Sequence, residues 1–252
     1  MVHAIAITRV PGWEDAFPWA FAATAHRRPA AAGPDFALDP DAPGGGAIRH
    51  RDDWRLLLSQ LGWRQIVVGR QVHGTEINLI RSDYSGVHLA GDCDGHATRR
   101  PGVLLAVTLA DCVGVFLADP AHRAVALVHS GWRGTARGIL GHGLGTMRSA
   151  FGTRAADLSV HLGPAICGDC YEVGAEVLDA LGLRGRRTAD LRAVLRDQAR
   201  DAGVPQHAIS ISQHCTRCGD GRYYSHRAGD RGRHLALLGI SSDTSGNTPP
   251  AA

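Results

Sequence analysis

Three residues in this chain of 252 amino acids have the chemistry of a metal centre: His73, Cys112 and His129. Zinc prefers imidazole nitrogen and thiolate sulfur, and a catalytic zinc commonly takes three protein ligands and leaves its fourth position to water. Each residue stands where an apolar run ends or turns: His73 in Gln71-Val72-His73-Gly74, Cys112 after Ala110-Asp111, and His129 after Val128. Strand ends suit such a set, because a rigid sheet brings side chains from distant sequence positions to one point. Taken singly, each has an ordinary reading. A histidine beside valine is commonly a hydrogen-bonded core or loop residue, and free cysteine packs as a small hydrophobe. The neighbourhood argues for more. Asp111 places a carboxylate in apolar surroundings, where burial is costly unless the charge is paired or put to use. After His129, the run Ser130-Gly131-Trp132-Arg133-Gly134 offers an aromatic face and a guanidinium that could hold a small anionic or aromatic substrate. Two further readings remain open. Cys112 could be a nucleophile with a histidine base, as in a cysteine hydrolase or deamidase, or the chain could be a non-catalytic metal-binding module.

The other notable cysteines form two C-x-x-C pairs, Cys167 with Cys170 and Cys215 with Cys218. Such pairs can close a tetrathiolate zinc site, but the 44 residues between them exceed the ~15 to 20 of the compact signature. Spacing therefore favours four reduced thiols near the surface.

The elements that must position these groups read as alternating strands and helices. Residues 65–69, 76–80, 103–108, 113–118, 124–128 and 235–240 are rich in Val, Leu, Ile and Ala and predict strands. Helices are expected over 54–61, capped by Asp52 or Asp53 and ended by Gly62, and over 134–151, 174–181 and 189–202. Residues 1–24 offer one strand and a turn. The proline- and glycine-rich stretch 28–48 predicts a long loop, and 241–252 a disordered tail. The fold class is α/β, with one catalytic domain over 1–240.

An apolar share of 44% can enclose a large core, and a net charge of +3 gives little of the excess that phosphate-backbone binders carry. Neither nucleic acid nor a membrane is an expected partner, since the most apolar stretch is broken by Asp111 and is shorter than a ~20-residue span. No export-signal pattern opens the sequence, so a cytoplasmic location with reduced cysteines is expected.

Five blocks occur together: Gln71-Val72-His73-Gly74, Ala110-Asp111-Cys112, His129-Ser130-Gly131-Trp132-Arg133-Gly134, Leu162-Gly163-Pro164-Ala165-Ile166 with Cys170-Tyr171-Glu172-Val173-Gly174, and Cys215-Thr216 followed by Ser225-His226-Arg227. In this order they resemble the single-domain purine nucleoside phosphorylases long labelled multicopper polyphenol oxidases or laccase-domain proteins, also called peptidoglycan editing factor-like. The resemblance implies a layered α/β sandwich with mixed sheets, zinc bound by His73, Cys112 and His129, and catalysis by those same residues. It also implies phosphorolysis of adenosine, guanosine, inosine or methylthioadenosine, with adenosine deamination alongside. Arg133, Asp94, His226 and Arg227 are then expected to bind substrate. Copper is the weaker cofactor reading, because few of the 14 histidines fall in clusters that several copper centres would need. The chain departs from the family pattern at Ser130, at Val113-Gly114, at His226, and in the N-terminal quarter, where Arg27-Arg28-Pro29 and Asp53-Trp54 replace an Arg-Gly-Gly segment and an Asn-Arg pair.

Overall fold

The computed structural model describes residues 4–28, 33–39 and 47–242. Two six-stranded mixed sheets form its centre. The first runs in the order β1 (Ala6–Arg9), β2 (Ala20–His26), β14 (His234–Ile240), β9 (Leu104–Leu109), β5 (Gln65–Arg70) and β7 (Gly86–Asp92). The second runs β13 (Ile209–Ile211), β12 (Ser159–Leu162), β10 (Val113–Asp119), β11 (Ala124–Ser130), β8 (Gly95–Thr98) and β6 (Ile77–Leu79). Parallel pairings join β5 to β7 and β9, β12 to β13, and β6 to β8, while β14 and β10 are antiparallel to both of their neighbours.

Alternation along the strands sorts side chains into three apolar layers. On β9, Leu105, Val107 and Leu109 face Phe116, Ala118 and Leu127 of the second sheet. The intervening Leu104 and Ala106 pack with Trp54 and Leu57 of the helix α2 (Arg51–Leu61). On the far side, Val113, Val115, Leu117, Ala126 and Val128 meet Ile139, Leu140 and Met147 of α4 (Ile139–Phe151) and Leu195 of α6 (Leu191–Asp201). The result is a helix, sheet, sheet, helix sandwich. Strands buried on both faces explain the continuous apolar runs of β9 to β11, and each large side chain so enclosed contributes about 1.5 to 3 kcal/mol.

Several local expectations are corrected. Helix α2 ends at Gly62 in the left-handed region, φ 69°, but its N-cap is His50 with φ 48°, and no side chain caps it. Asp53 instead accepts a hydrogen bond from the Asp35 amide at 3.0 Å. The single helix expected over 134–151 is two, α3 (Trp132–Ala136) and α4, because Gly138 turns left-handed at φ 73° between them. The N-terminal segment holds β1, β2 and a short helix, α1 (Trp13–Ala16), rather than one strand. Within the expected 28–48 loop, β3 (Leu38–Asp39) pairs with β4 (Ala47–Ile48); residues 29–32 and 40–46 lie outside the described residues, as does 243–252 of the expected tail. The helices expected over 174–181 and 189–202 are present as α5 (Ala175–Ala180) and α6, which Asp190 caps by accepting from the amides of Arg192 and Ala193. Among the described residues no helix is long and apolar enough to cross a membrane.

Candidate metal centre

His73, Cys112 and His129 come from three separate chain segments and converge. Their donor atoms all lie within 4.8 Å of one another, with Cys112 Sγ 3.9 Å from His73 Nε2. The two imidazole rings meet edge to face at a centroid distance of 4.8 Å. A tetrahedral zinc with Zn–S of ~2.3 Å and Zn–N of ~2.0 Å would set sulfur and nitrogen ~3.5 Å apart, so the donor set and its spacing fit such an ion.

Each of the three side chains has its own positioning device. His73 sits on the turn after β5 with φ 57°, an unfavourable conformation for a side-chain-bearing residue. Asp94 holds that turn in place. Its Oδ1 accepts the His73 amide at 2.9 Å, and its Oδ2 accepts those of Val72 at 3.2 Å and Gly74 at 2.7 Å. The same carboxylate lies 2.8 Å from Nδ1 of His129. A carboxylate can only accept, so Nδ1 carries the proton and Nε2 is left to face the centre, the usual carboxylate-histidine-metal arrangement. Asp94 was expected to bind substrate; it is instead fully buried, with both oxygens engaged in positioning the two histidines.

Cys112 lies on the bend between β9 and β10, next to Asp111, whose φ is 86°. The Asp111 carboxylate accepts the Thr216 hydroxyl at 2.6 Å and the Arg227 amide at 2.7 Å, so its burial is offset by hydrogen bonds. Gly131, which opens α3, is required by close approach: a Cβ there would fall 2.7 Å from His73 Cδ2 and 3.0 Å from Cys112 Sγ.

The charges reinforce one another. Burial raises the Cys112 thiol pKa, but the charge and hydrogen bonds of His129 and His73 outweigh it and bring it down to about 6. Burial likewise works against charge on His129, yet Cys112 and Asp94 push it up to about 9. Asp94 is pushed up by its burial, and the hydrogen bond and charge of His129, with the Gly74 and Val72 amides, more than reverse this and hold it below the ordinary carboxylate range. The two shifts run toward a thiolate-imidazolium pair, each charge supporting the other.

The remaining expected residues lie on exposed loops and on α3. Arg133 is exposed, its guanidinium 4.3 Å above the Trp132 ring. Arg227 donates from Nη1 to the Glu172 carbonyl at 2.7 Å and lies 5.2 Å from the Tyr171 ring centre. His226 is exposed. Tyr171, from the Cys170-Tyr171-Glu172-Val173-Gly174 block, is placed among Cys112, Arg227, Asp111 and Arg133: burial first, then the Cys112 charge, pushes its phenol up to about 12. A groove of about 670 Å³ beside Arg81, Arg137 and His142, and a cleft of about 250 Å³ beside His161, His214 and Tyr223, are lined by none of the three donors.

Residues 49–241 match the family model described as multi-copper polyphenol oxidoreductase laccase. The chain is 36% identical over 191 residues, 67% of its length and 70% of the relative's, to purine nucleoside phosphorylase YlmD of Geobacillus stearothermophilus. It is 32% identical over 209 residues, 74% of its length and 79% of the relative's, to adenosine deaminase RL5 of an unknown prokaryotic organism. The solved structure of YlmD from Geobacillus stearothermophilus superposes with a TM-score of 0.79 at 28% identity, covering 96% of this chain and 98% of that one. On a family model spanning three quarters of its length, and on relatives that share its sequence and its two-sheet fold, the chain belongs to the laccase-like multi-copper polyphenol oxidoreductase family that includes the YlmD purine nucleoside phosphorylases.

Proposed function

We propose that this protein is a zinc-dependent purine nucleoside phosphorylase that also deaminates adenosine, acting in the cytoplasm on purine nucleosides and phosphate. The observation that carries this is the convergence of His73, Cys112 and His129 on one point, with Asp94 fixing the tautomer of His129. The relatives named for phosphorolysis and for adenosine deamination supply the substrate class. Two imidazoles and one thiolate suit zinc, which when bound would supply Lewis acidity to the departing base or to water.

In phosphorolysis a phosphate oxygen bonds to the ribose anomeric carbon as the glycosidic carbon-nitrogen bond breaks. The bonding pair leaves with the base, which must take up a proton. Arg133 and Arg227 are the exposed cations near Tyr171, and their guanidinium donors suit the phosphate charge. Arg227 is pre-oriented by Glu172, and its backbone by Asp111, so binding phosphate costs it little further order. His226 stands exposed on the same loop and is assigned to the ribose or base. Val72, half exposed beside His73, offers an apolar surface for the purine.

Product analysis on adenosine, inosine, guanosine and methylthioadenosine, with and without phosphate, tests this reading. Ribose 1-phosphate and free base appearing only with phosphate is the expected result, and unchanged turnover in Cys112→Ala would overturn it. The lowered pKa of Cys112 beside His129 favours one rival, a cysteine hydrolase. Activity that survives complete metal removal would decide for that rival. A phenol-oxidation assay on copper-loaded and zinc-loaded protein tests the copper reading in the same way.

A further inference from the structure

The two C-x-x-C pairs, distant in sequence, meet in space. Cys167 and Cys170 lie on the turn that follows β12, and Cys215 and Cys218 on the turn that follows β13. Because β12 and β13 are parallel neighbours, the chain leaves through α5 and α6 and returns alongside its starting point, which is why linear spacing misleads. All four sulfurs lie within 4.8 Å of one another, with Cys167 Sγ 3.9 Å from Cys218 Sγ. Four thiolates around zinc at ~2.3 Å form a tetrahedron with edges of ~3.8 Å. None of the four is in a disulfide.

The backbone is shaped for sulfur ligands. The amides of Cys167 and Cys218 point at Cys215 Sγ, at 3.3 and 3.5 Å, the pattern of N–H donors that supports a thiolate. The turn closes so tightly after Cys218 that a Cβ on Gly219 would lie 2.4 Å from the Cys215 carbonyl oxygen. The two turns are also tied directly: Ala165 pairs with Cys215, the Thr216 amide donates to the Ala165 carbonyl at 3.2 Å, and Arg217 donates to the Cys170 carbonyl at 3.1 Å.

We propose that Cys167, Cys170, Cys215 and Cys218 form a second, structural zinc site. Four protein sulfurs fill the tetrahedron and leave no position for substrate, so the ion does no chemistry. Its effect is to clamp the turn that leads into Tyr171 and Glu172 against the turn that leads toward Arg227. Thr216, inside the second pair, bonds the Asp111 carboxylate beside Cys112, so the clamp stiffens one wall of the first centre. This inference stands independently of the nucleoside reading.

The test uses the full chain purified under reducing conditions and a His73→Ala/Cys112→Ala variant, which empties the first centre without touching the four cysteines. Elemental analysis is expected to find about two zinc ions per wild-type chain and about one per variant chain, one for each cluster. Zinc-edge X-ray absorption of the variant is expected to show a shell of about four sulfurs at ~2.3 Å. Its four remaining paired-motif thiols are expected to resist alkylation until a chelator is added. A variant that retains its circular dichroism but carries no zinc would overturn the proposal. So would a mixed nitrogen and sulfur shell, iron in place of zinc, or a disulfide within the cluster found by non-reducing mass spectrometry.

Discussion

Replacing Asp94 by asparagine leaves the side chain's shape nearly unchanged but converts one oxygen, an acceptor, into an amide, a donor. Each carboxylate oxygen serves two N–H groups: Oδ1 takes the His73 amide and His129 Nδ1, and Oδ2 takes the Val72 and Gly74 amides. Whichever way the new amide turns, two donors lose their acceptor and face another donor. A hydrogen bond to a buried charged group is worth about 1.5 to 3 kcal/mol, so losing two costs about 3 to 6 kcal/mol, a large part of a typical domain's stability. Loss of a ligand's supporting carboxylate further weakens metal binding by about 10 to 100-fold. Urea unfolding of the metal-free protein measures the first effect, and competition with a chromogenic chelator measures the second. The acid limb supplies an internal check. Asp94 is depressed in the folded state, so its contribution is present above the ordinary carboxylate pKa and disappears as pH falls through the lower folded value. The asparagine variant should lack that segment of the pH-stability curve. A destabilisation under ~1 kcal/mol together with unchanged metal affinity would refute the assignment of Asp94 as the residue that positions both histidines.

In metal-free protein, Cys112 alkylation should reach half its maximal rate near pH 6, following a thiol pKa of about 6; a midpoint at the ordinary ~8.5 would contradict the thiolate-imidazolium pair. The stability of that form should be nearly flat with pH between these values. Cys112 adds stability that is lost as pH falls through about 6, while His129 adds stability that is lost as pH rises through about 9, and the two slopes oppose each other. Gly131→Ala should cost about 1 to 3 kcal/mol through crowding of His73 and Cys112, and release metal, whereas Gly141→Ala, with open space around it in α4, should stabilise by about 0.5 to 1 kcal/mol. Equal unfolding midpoints for the two variants would show the crowding to be immaterial. Arg227→Ala should raise the KM for phosphate roughly tenfold, the loss of one charge-assisted contact, while leaving metal content unchanged. A steady-state titration of phosphate that returns the wild-type KM would remove Arg227 from the phosphate site.

The part of the fold built from branched aliphatic residues was readable in advance. β9, β10 and β11 announce themselves through Val and Leu, and their ends deliver Cys112 and His129. By contrast β2, Ala20–His26, is mostly alanine, a residue with weak strand preference, and becomes a strand only because β1 and β14 flank it. β8, Gly95–Thr98, is four residues long and takes its structure from β6 and β11. His73, Cys112 and His129 could be grouped from donor chemistry and from the surrounding blocks, and the structure brings them together, yet the contacts of Asp94 could not be read, since they depend on a turn 20 residues earlier folding over it. The cysteine pairs show the same limit: separation along the chain carried no information about a parallel return.

The position of β14 has a consequence for synthesis. It lies between β2 and β9, so the first sheet has a gap at its middle until residues 234–240 have emerged from the ribosome. The second sheet draws its strands from residues 77–211 and can pair earlier. During that interval β1 and β2 wait with an open edge and an uncovered apolar face, a species prone to sticking to its copies. A chain lacking residues 234–240 therefore holds His73, Cys112 and His129 but cannot join β2 to β9, so its first sheet stays open.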